Sequence, residues 1–552
     1  MKITKQIFFY KIFIPLWLLV NFMQAYFTGL GNDEAYYWTW SQFLDWGYFH
    51  HPPMVALVIR IGWIFFHGEF GVRVVGVLFS TCSLIGIFQL TDKKNSVLFS
   101  AIASSILLVQ ISGFFIAPDI PLLFFTVLFF HVVKKYLAND NWKNGLTLSV
   151  MVACMFYSKY HAIFPVVFTI IACPELLKRK SFYFISIFAA ALFLPHLFWQ
   201  IQNHFPTFQF HIHDRSKVGF DISNITDYLL GQIILIGPFA TPLILFAAFK
   251  YKSQNKFERI LKFNAAGILL LIFALSFRSH TESNRTAEAF PSFAILSYQF
   301  LSDKIRLKKW IYGISFFSIV IFMLMRIHLV CQMVNIKNDP TQQFHGWKKF
   351  TTKVEQLANG NFIAANGHHI PSQIWFYSGK KVSSFNFGGN KNQYDLWKFD
   401  KEINGKHVLL LQGSRFDSPY DSLELSNGRN IFLKLIDTFP LLKYLKITIE
   451  KSPKEFIHSS IVSFDLKIDC GGDSFFVTNK TLMSYHIFKN NKMFCWDGMR
   501  TSFGKTILKN SFHLSVPVKL PDEPGEYEIE FTPLNETFGW WKNDCRTKII
   551  VK

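Results

Sequence analysis

Long apolar runs separated by short polar breaks fill the first 335 residues, and period-two alternation of apolar and polar positions takes over near the end. The first run reaches about residue 29 behind a start that carries Lys2 and Lys5. It is too long for a signal-peptide core and lacks a small-residue cleavage site, so it predicts a transmembrane helix. Further apolar runs cover 71–90, 97–117, 120–133, 145–157, 162–174, 182–200, 229–250, 260–277, 287–301 and 310–331. With the first run they predict about eleven spans. Residues 53–66 are short for a span and predict a helix lying at, or dipping into, the membrane surface.

Charge orients this pattern. From a cytoplasmic N-terminus, the loops falling inside are 91–95, 134–144, 175–180, 250–262 and 302–310, and every one is rich in Lys or Arg. The formal net charge of +20 is therefore explained by orientation, without a nucleic-acid partner. The outer loops are 31–53, 117–121, 158–161, 201–228 and 278–287, and they hold acids, His, Asn and single cations. Orientation does not call for those groups. Hydrophobic residues make up 50% of the chain and charged residues only 17%, as in a membrane protein.

Beyond the spans, residues 336–435 read as a small α/β unit. Residues 436–552 read as a β-sandwich, with strand-like segments such as SSIVSFDLKID and YEIEFTPL separated by Gly, Asn, Pro and Asp. Both are expected outside the cytoplasm. There a single disulfide among Cys470, Cys495 and Cys545 is an expectation. No CxxC or zinc spacing is present.

The densest chemistry lies in GNDEAYYWTWSQFLDWGYFHHPP, residues 31–53. Asp33 and Glu34 are adjacent, and helical neighbours do not share a face. One is expected to act as a base, and the other to hold a lysine, an arginine or a metal. The bland alternative makes Asp33 the cap of a surface helix starting at Ala35. Asp119 sits between prolines at the lip of a span, where an acid is costly unless paired. Lys159 stands on the outer side at membrane depth and predicts an anionic partner, such as a lipid-linked phosphate. Arg278, His280, Glu282, Asn284 and Arg285 crowd a late outer loop, where arginine suits bidentate phosphate binding. His204, His211, His213, Asp214 and Arg215 form only a weak metal-like pattern.

The stretch DEAYYWTWSQFLDWGYFHHPPMVA resembles the first-loop signature of the bacterial dolichyl-phosphate-mannose protein mannosyltransferase family, which includes the aminoarabinose transferases of lipid A. APDIPLLFF, SKYHAIF, QIQNHFPTFQFHIHDR and RSHTESNRTAEAFPSF resemble that family's later motifs, in order, over about residues 1–335. The chain departs from the family's usual pattern at His50, where an acid is common, and across Asn284–Ala289, where an aromatic is lost and a cation gained.

The resemblance implies a polytopic α-helical protein of GT-C fold with about eleven transmembrane helices, here followed by the α/β unit and the sandwich. It implies an inverting glycosyltransferase. The donor is a sugar on a polyprenyl phosphate, and the acceptor a lipid A, glycan or protein hydroxyl or phosphate on the periplasmic face of the bacterial inner membrane. Carried over by motif, the catalytic residues are Asp33, Glu34 and Asp119. Lys159, Arg278 and Tyr160 are expected at the donor phosphate. Tyr36, Trp38, His51, Arg215, Glu282 and Asn284 are expected at the substrate, with Trp38 and Trp40 suited to sugar stacking. No cofactor is required and no metal ligand is assigned, although a divalent cation such as Mg or Mn is compatible with the chemistry. The alternative from another class is a transporter or flippase of lipid-linked saccharides, which would favour repeats and broken helices at mid-membrane.

Overall fold

The computed structural model describes all residues except 1–6, 211–219, 335–338, 387–390, 417–419, 427, 454–455, 472, 491, 497–499, 505–506, 538 and 541–544. The side chains of Cys495, Trp496 and Trp540 are also outside the description. Arg215, His211, His213 and Asp214 fall among the residues that are not described. The chain forms two compact units, Met1–His345 and Gly346–Lys552.

In the first unit each apolar run becomes a helix or a broken helix. These are α1 (Ile14–Phe27), α2 (Asn32–Gln42), α3 (Met54–Phe65), α4 (Gly68–Leu90), α5 (Ser96–Ser105), α6 (Leu107–Ser112), α7 (Asp119–Ala138) and α8 (Trp142–Ser158). They continue with α9 (Ile163–Ala172), α10 (Lys180–Gln202), α11 (Ile222–Ile236), α12 (Thr241–Lys250), α13 (Lys256–Ser276), α14 (Phe290–Leu301) and α15 (Ile305–Cys331). Polar loop residues set several starts. Asn95, Asn141 and Asn255 cap α5, α8 and α13 by accepting from the amides of Leu98, Asn144 and Glu258.

Among the described residues, five helices are long and apolar enough to cross a membrane, or up to seven if each of two bent pairs counts as one span. The sequence pattern predicts more spans because the runs 145–157, 162–174 and 287–301 form helices of only 17, 10 and 12 residues, and because hydropathy is blind to breaks. The run 97–117 divides at Ile106, whose backbone is extended. Two serines precede that break, and Ser105 Oγ bonds back to the carbonyl of Ala101 at 2.7 Å. The run 229–250 bends by 88° between α11 and α12. There Gly237 adopts φ +124° ahead of Pro238, which cannot continue a helix.

The apolar core of this unit joins α1, α4, α5, α7, α13 and α14 through residues such as Phe88, Phe99, Phe130, Ile268 and Tyr298. α4 lies deep, with 67% of its apolar window buried, whereas α10 is peripheral at 17%. The apolar run 53–66 forms the short helix α3 over 54–65. It buries Val55, Ala56, Val58, Ile59 and Gly62 and leaves Ile64 and Phe65 exposed.

The second unit begins with α16 (Trp347–Ala358) and α17 (His369–Ser378). They accompany a five-stranded sheet of order β2-β1-β3-β5-β4. Its strands are β1 (Phe362–Ala365), β2 (Ser383–Ser384), β3 (Val408–Gln412), β4 (Asp421–Glu424) and β5 (Asn430–Ile436). β2-β1-β3 is parallel and β3-β5-β4 antiparallel. Next come β6 (Lys446–Lys451), β7 (Ile461–Asp469), β8 (Thr481–Lys489), β9 (Phe512–Lys519), β10 (Gly525–Asn535) and β11 (Arg546–Val551). They build two antiparallel sheets, β9-β7-β6 and β8-β10-β11. Phe464, Leu466 and Val516 of one sheet share a core with Tyr485, Ile487 and Phe531 of the other, as in a sandwich. Of the three cysteines among which one disulfide is expected, Cys470 and Cys545 are buried and not joined to each other, and the side chain of Cys495 lies outside the description.

A β-carbon on Gly237 would stand 2.2 Å from the carbonyl oxygen of Ser105, in a backbone conformation that L-residues avoid. Gly237→Ala is expected to destabilise the protein by about 1–3 kcal/mol, read as a lower midpoint in thermal unfolding in detergent.

Candidate active site

The site begins where α1 hands over to α2. Asn32, not Ala35, opens α2, and Gly31 rather than Asp33 is its cap residue. Glu34 reaches back to the amide of Gly31 at 2.9 Å. Every residue from Glu34 to Ser41 is buried, whereas Asp33 is exposed. The two adjacent acids therefore face different surroundings, as their spacing on a helix requires.

Glu34 meets Arg73 of α4 in a fully buried bidentate pair, with Nε–Oε1 at 2.8 Å and Nη2–Oε2 at 2.5 Å. The remaining valences are well used. Glu34 accepts from the amide of Ile116 at 3.0 Å, and Arg73 donates to the carbonyls of Ala25, Thr28 and Gly29. The cation expected for one acid of the pair is thus Arg73. Arg73 is hidden in the sequence inside an apolar run, although an arginine there is itself a signal. Glu34 is an internal strut and not an open substrate contact.

The aromatics of the first loop are packed rather than displayed. Tyr36 is 1% exposed, Trp38 4% and Trp40 0%. Trp40 stacks on Tyr48 at 4.6 Å and 11°, with Tyr36 and Tyr37 edge-on to it. Trp38 packs edge-on to Trp63. Tyr36 and Trp38, expected at the substrate, and Trp40, expected with Trp38 to offer a face to a sugar, thus have their rings packed against protein. Only the ends of this short helix, Asn32, Asp33 and Gln42, reach the surface, and its aromatic rings do not. His51 is half-buried beside the rings of Tyr37 and Trp40. Tyr48 donates to the carbonyls of Trp40 and Phe43, and burial raises its phenol pKa well above the usual value.

A hydrogen-bonded chain supports this loop from α10. His196 Nδ1 bonds the carbonyl of Trp46 at 2.7 Å and its Nε2 bonds the hydroxyl of Tyr160 at 2.6 Å. Gln200 donates to Tyr160 and to Thr207, which in turn donates to the carbonyl of Tyr48. Trp199 Nε1 donates to Asp45 at 2.8 Å. Tyr160, expected at the donor phosphate, has its hydroxyl in this scaffold.

Three later loops meet beside α2. Asp119 opens α7, and Lys159 ends α8. Their side chains pair at 2.8 Å, both nearly buried. Asn284 donates to the other oxygen of Asp119 at 3.2 Å. The charges of Asp33, Asp119 and Glu282 all act on the buried phenol of Tyr37. Glu282 is exposed, as is Arg278, which has no ion pair among the described residues. Glu288 is a further group that the motif reading notes only as a departure. It is 0% exposed, neither of its oxygens has a hydrogen-bond partner among the described residues, and the charges of Lys159 and Asp119 reach it.

The site is thus a set of carboxylates gathered about one nearly buried lysine, with an exposed carboxylate at the first loop. Beside the first loop a mostly apolar cavity of about 570 Å³ is lined by Leu44, Trp46, Pro53, Met54, Leu57 and Tyr157, with Asp45 as its one charged residue. Tyr157 lies two residues before Lys159.

Residues 50–199 match the family model described as dolichyl-phosphate-mannose-protein mannosyltransferase. The lipid A galacturonosyltransferase RgtD of Rhizobium johnstonii is 24% identical over 291 residues, which cover 48% of this chain and 58% of RgtD. The chain thus spans a little over half the length of this relative. ArnT from Cupriavidus metallidurans shares the fold with a TM-score of 0.58 at 11% identity, over 77% of this chain and 97% of ArnT. The same protein bound to undecaprenyl phosphate matches with a TM-score of 0.57 at 12% identity, over 77% and 98%. The chain has an ArnT-like GT-C fold with a multi-pass helical unit, followed by a β-rich C-terminal region. Family model, relative and fold agree with the resemblance carried by the motifs.

Removing the guanidinium of Arg73 would leave Glu34 buried without its counter-charge. Arg73→Leu is expected to destabilise the helical unit by about 3–5 kcal/mol, measured as the midpoint of thermal unfolding against the parent protein.

Proposed function

We propose that this GT-C membrane protein is a glycosyltransferase that moves a sugar from a polyprenyl-phosphate carrier to a hydroxyl or phosphate of lipid A, a glycan or a protein. The observation that carries this reading is the meeting of four sequence-distant loops. They bring the exposed Asp33 and the Lys159–Asp119 pair around one buried tyrosine. The charge pattern of the loops supports an outer, periplasmic site in the inner membrane, with a cytoplasmic N-terminus. The relatives lend support through their names: one acts on lipid A, and another is seen with undecaprenyl phosphate.

The chemistry follows from the groups. The acceptor oxygen attacks the anomeric carbon from the face opposite the phosphate. As that bond forms, the carbon–oxygen bond to the phosphate breaks, and the configuration inverts. Asp33 takes the acceptor proton. The polyprenyl phosphate leaves with an added negative charge, which Lys159 stabilises as it develops. A phosphate is already a good leaving group, so the step needs no strong general acid and no cofactor. In the resting arrangement Asp119 neutralises Lys159, and the arriving phosphate competes with it for the ammonium. Arg278 is free to reach the same phosphate from solvent. The apolar cavity beside Tyr157 suits the first isoprene units of the carrier.

Asp33→Asn is expected to abolish transfer in vesicles supplied with a polyprenyl-phosphate sugar donor, while leaving membrane insertion and melting behaviour unchanged. Near-parental transfer by this variant would remove Asp33 as the base. Lys159→Ala is expected to weaken donor use, with half-saturation moving to at least roughly tenfold higher donor. An unchanged donor dependence would overturn the phosphate role of Lys159. Mass spectrometry of lipid A and envelope glycans from a deletion strain identifies the acceptor through the modification that disappears.

A further inference from the structure

Another charged group is buried in the helical unit, away from the loops just described. Arg326 sits on α15, five residues before its end, and is 3% exposed. Its Nη2 donates to Asn21 Oδ1 at 2.9 Å, to the carbonyl of Gln110 at 2.7 Å and to Gln110 Oε1 at 3.3 Å. The guanidinium lies over the ring of Phe114 at 4.9 Å. All these partners are neutral. Among the described residues Arg326 has no carboxylate partner, and its Nε and Nη1 have no acceptor although both are buried. An arginine in an apolar span is costly unless an anion or a polar cavity meets it. Arg73 meets that condition with Glu34, and Arg326 does not meet it with any protein group described.

Arg326 closes one end of a cavity of about 460 Å³ between α1, α5 and α15. Its walls are mostly apolar, formed by residues such as Trp17, Val20, Ala101, Phe316 and Ile319, with Ser100 and Ser104 of α5 among them and Tyr312 towards the far end. From Tyr312 to Arg326 the groove follows α15 for about 21 Å at the helical rise. Leu16, Phe316 and Ile319 along its edge are exposed, at 57%, 69% and 39%, so the groove opens on the face that meets lipid. Arg326 lies about 8 Å from the end of α15. That is a depth at which a headgroup phosphate can meet a guanidinium while an acyl chain continues down the groove.

We infer that Arg326 and this groove form a site for an anionic phospholipid of the bilayer, its phosphate on Nε and Nη1 of Arg326 and one acyl chain between α1, α5 and α15. The unmatched positive charge selects a headgroup of net negative charge over a zwitterionic one. The long apolar wall selects a lipid over a free anion. The groove is lined by α1, α5 and α15, whereas the transfer groups stand on α2, α7, α8 and the late loop. The site therefore does not rest on the proposed reaction. It does touch the segment that leads to Asp119, because Gln110 and Phe114 hold the guanidinium.

The full-length protein, delipidated in detergent and then offered phosphatidylglycerol, phosphatidylcholine or inorganic phosphate, provides the test by native mass spectrometry and thermal unfolding. Wild type is expected to keep phosphatidylglycerol in preference to phosphatidylcholine and to melt higher with it, but not with phosphate alone. Arg326→Gln is expected to lower phosphatidylglycerol retention roughly tenfold. Ala101→Phe fills the groove while leaving the arginine in place. It is expected to reduce retention in the same way, and it decides the matter if Arg326→Gln does not fold. Undiminished retention in Ala101→Phe, equal retention of the two lipids by wild type, or equal stabilisation by inorganic phosphate would each overturn the lipid site.

Discussion

A carboxylate and a guanidinium removed from water lose several kcal/mol of hydration each, and their attraction offsets this only when the geometry is good and the remaining hydrogen-bond positions are filled. Glu34 and Arg73 meet both conditions at the point where α1 ends, α2 begins and α4 passes behind them. The pair contributes position more than stability. Its hydrogen bond to the amide of Ile116 fixes the loop that reaches Asp119 three residues later. Its own carboxylate sits beside Asp33 in the chain. One buried pair therefore sets the relation between the exposed acid of the first loop and the acid that holds Lys159. A substitution that loosened the pair would separate those acids without touching either of them.

The second ion pair has the opposite character. Lys159 and Asp119 are nearly buried, yet they lie at helix ends, with Asn284 from the late loop completing the acid's contacts. A group held by one strong partner and close to other carboxylates is poised to exchange partners when a phosphate arrives. Glu288 keeps the surroundings of Lys159 rich in acidic groups without binding it directly. The scaffold from His196 through Tyr160 and Gln200 to Tyr48 holds the first loop from the other side. The loop is thereby fixed by hydrogen bonds at both of its ends.

Much of this was legible in the sequence. The apolar runs gave the helices, the adjacent acids gave opposite exposures, and the motifs identified loops that the fold brings together. Two kinds of residue escaped. Hydropathy reads Arg73, Glu288 and Arg326 as minor interruptions of apolar runs, yet an ionisable group in such a run is the one that must find a partner. Composition also misdirected the aromatics. Tyr36, Trp38 and Trp40 look like a sugar platform, but α2 is buried from Glu34 to Ser41, and no pattern of alternation along it separates a buried ring from an open one. The breaks at Ile106 and Gly237 were hidden for a related reason. A bend that keeps both halves apolar leaves mean hydropathy unchanged, and only the serine pair before Ile106 and the Gly237–Pro238 step mark the turns.

The account stands most directly on where the carrier's phosphate binds. A cryo-electron microscopy structure of the full-length protein with a polyprenyl phosphate would locate it. The predicted result is phosphate density within hydrogen-bond reach of Lys159 Nζ, with Asp33 across an open space large enough for a sugar and the Glu34–Arg73 pair unchanged. Phosphate density remote from Lys159, with the Lys159–Asp119 pair undisturbed, would contradict it.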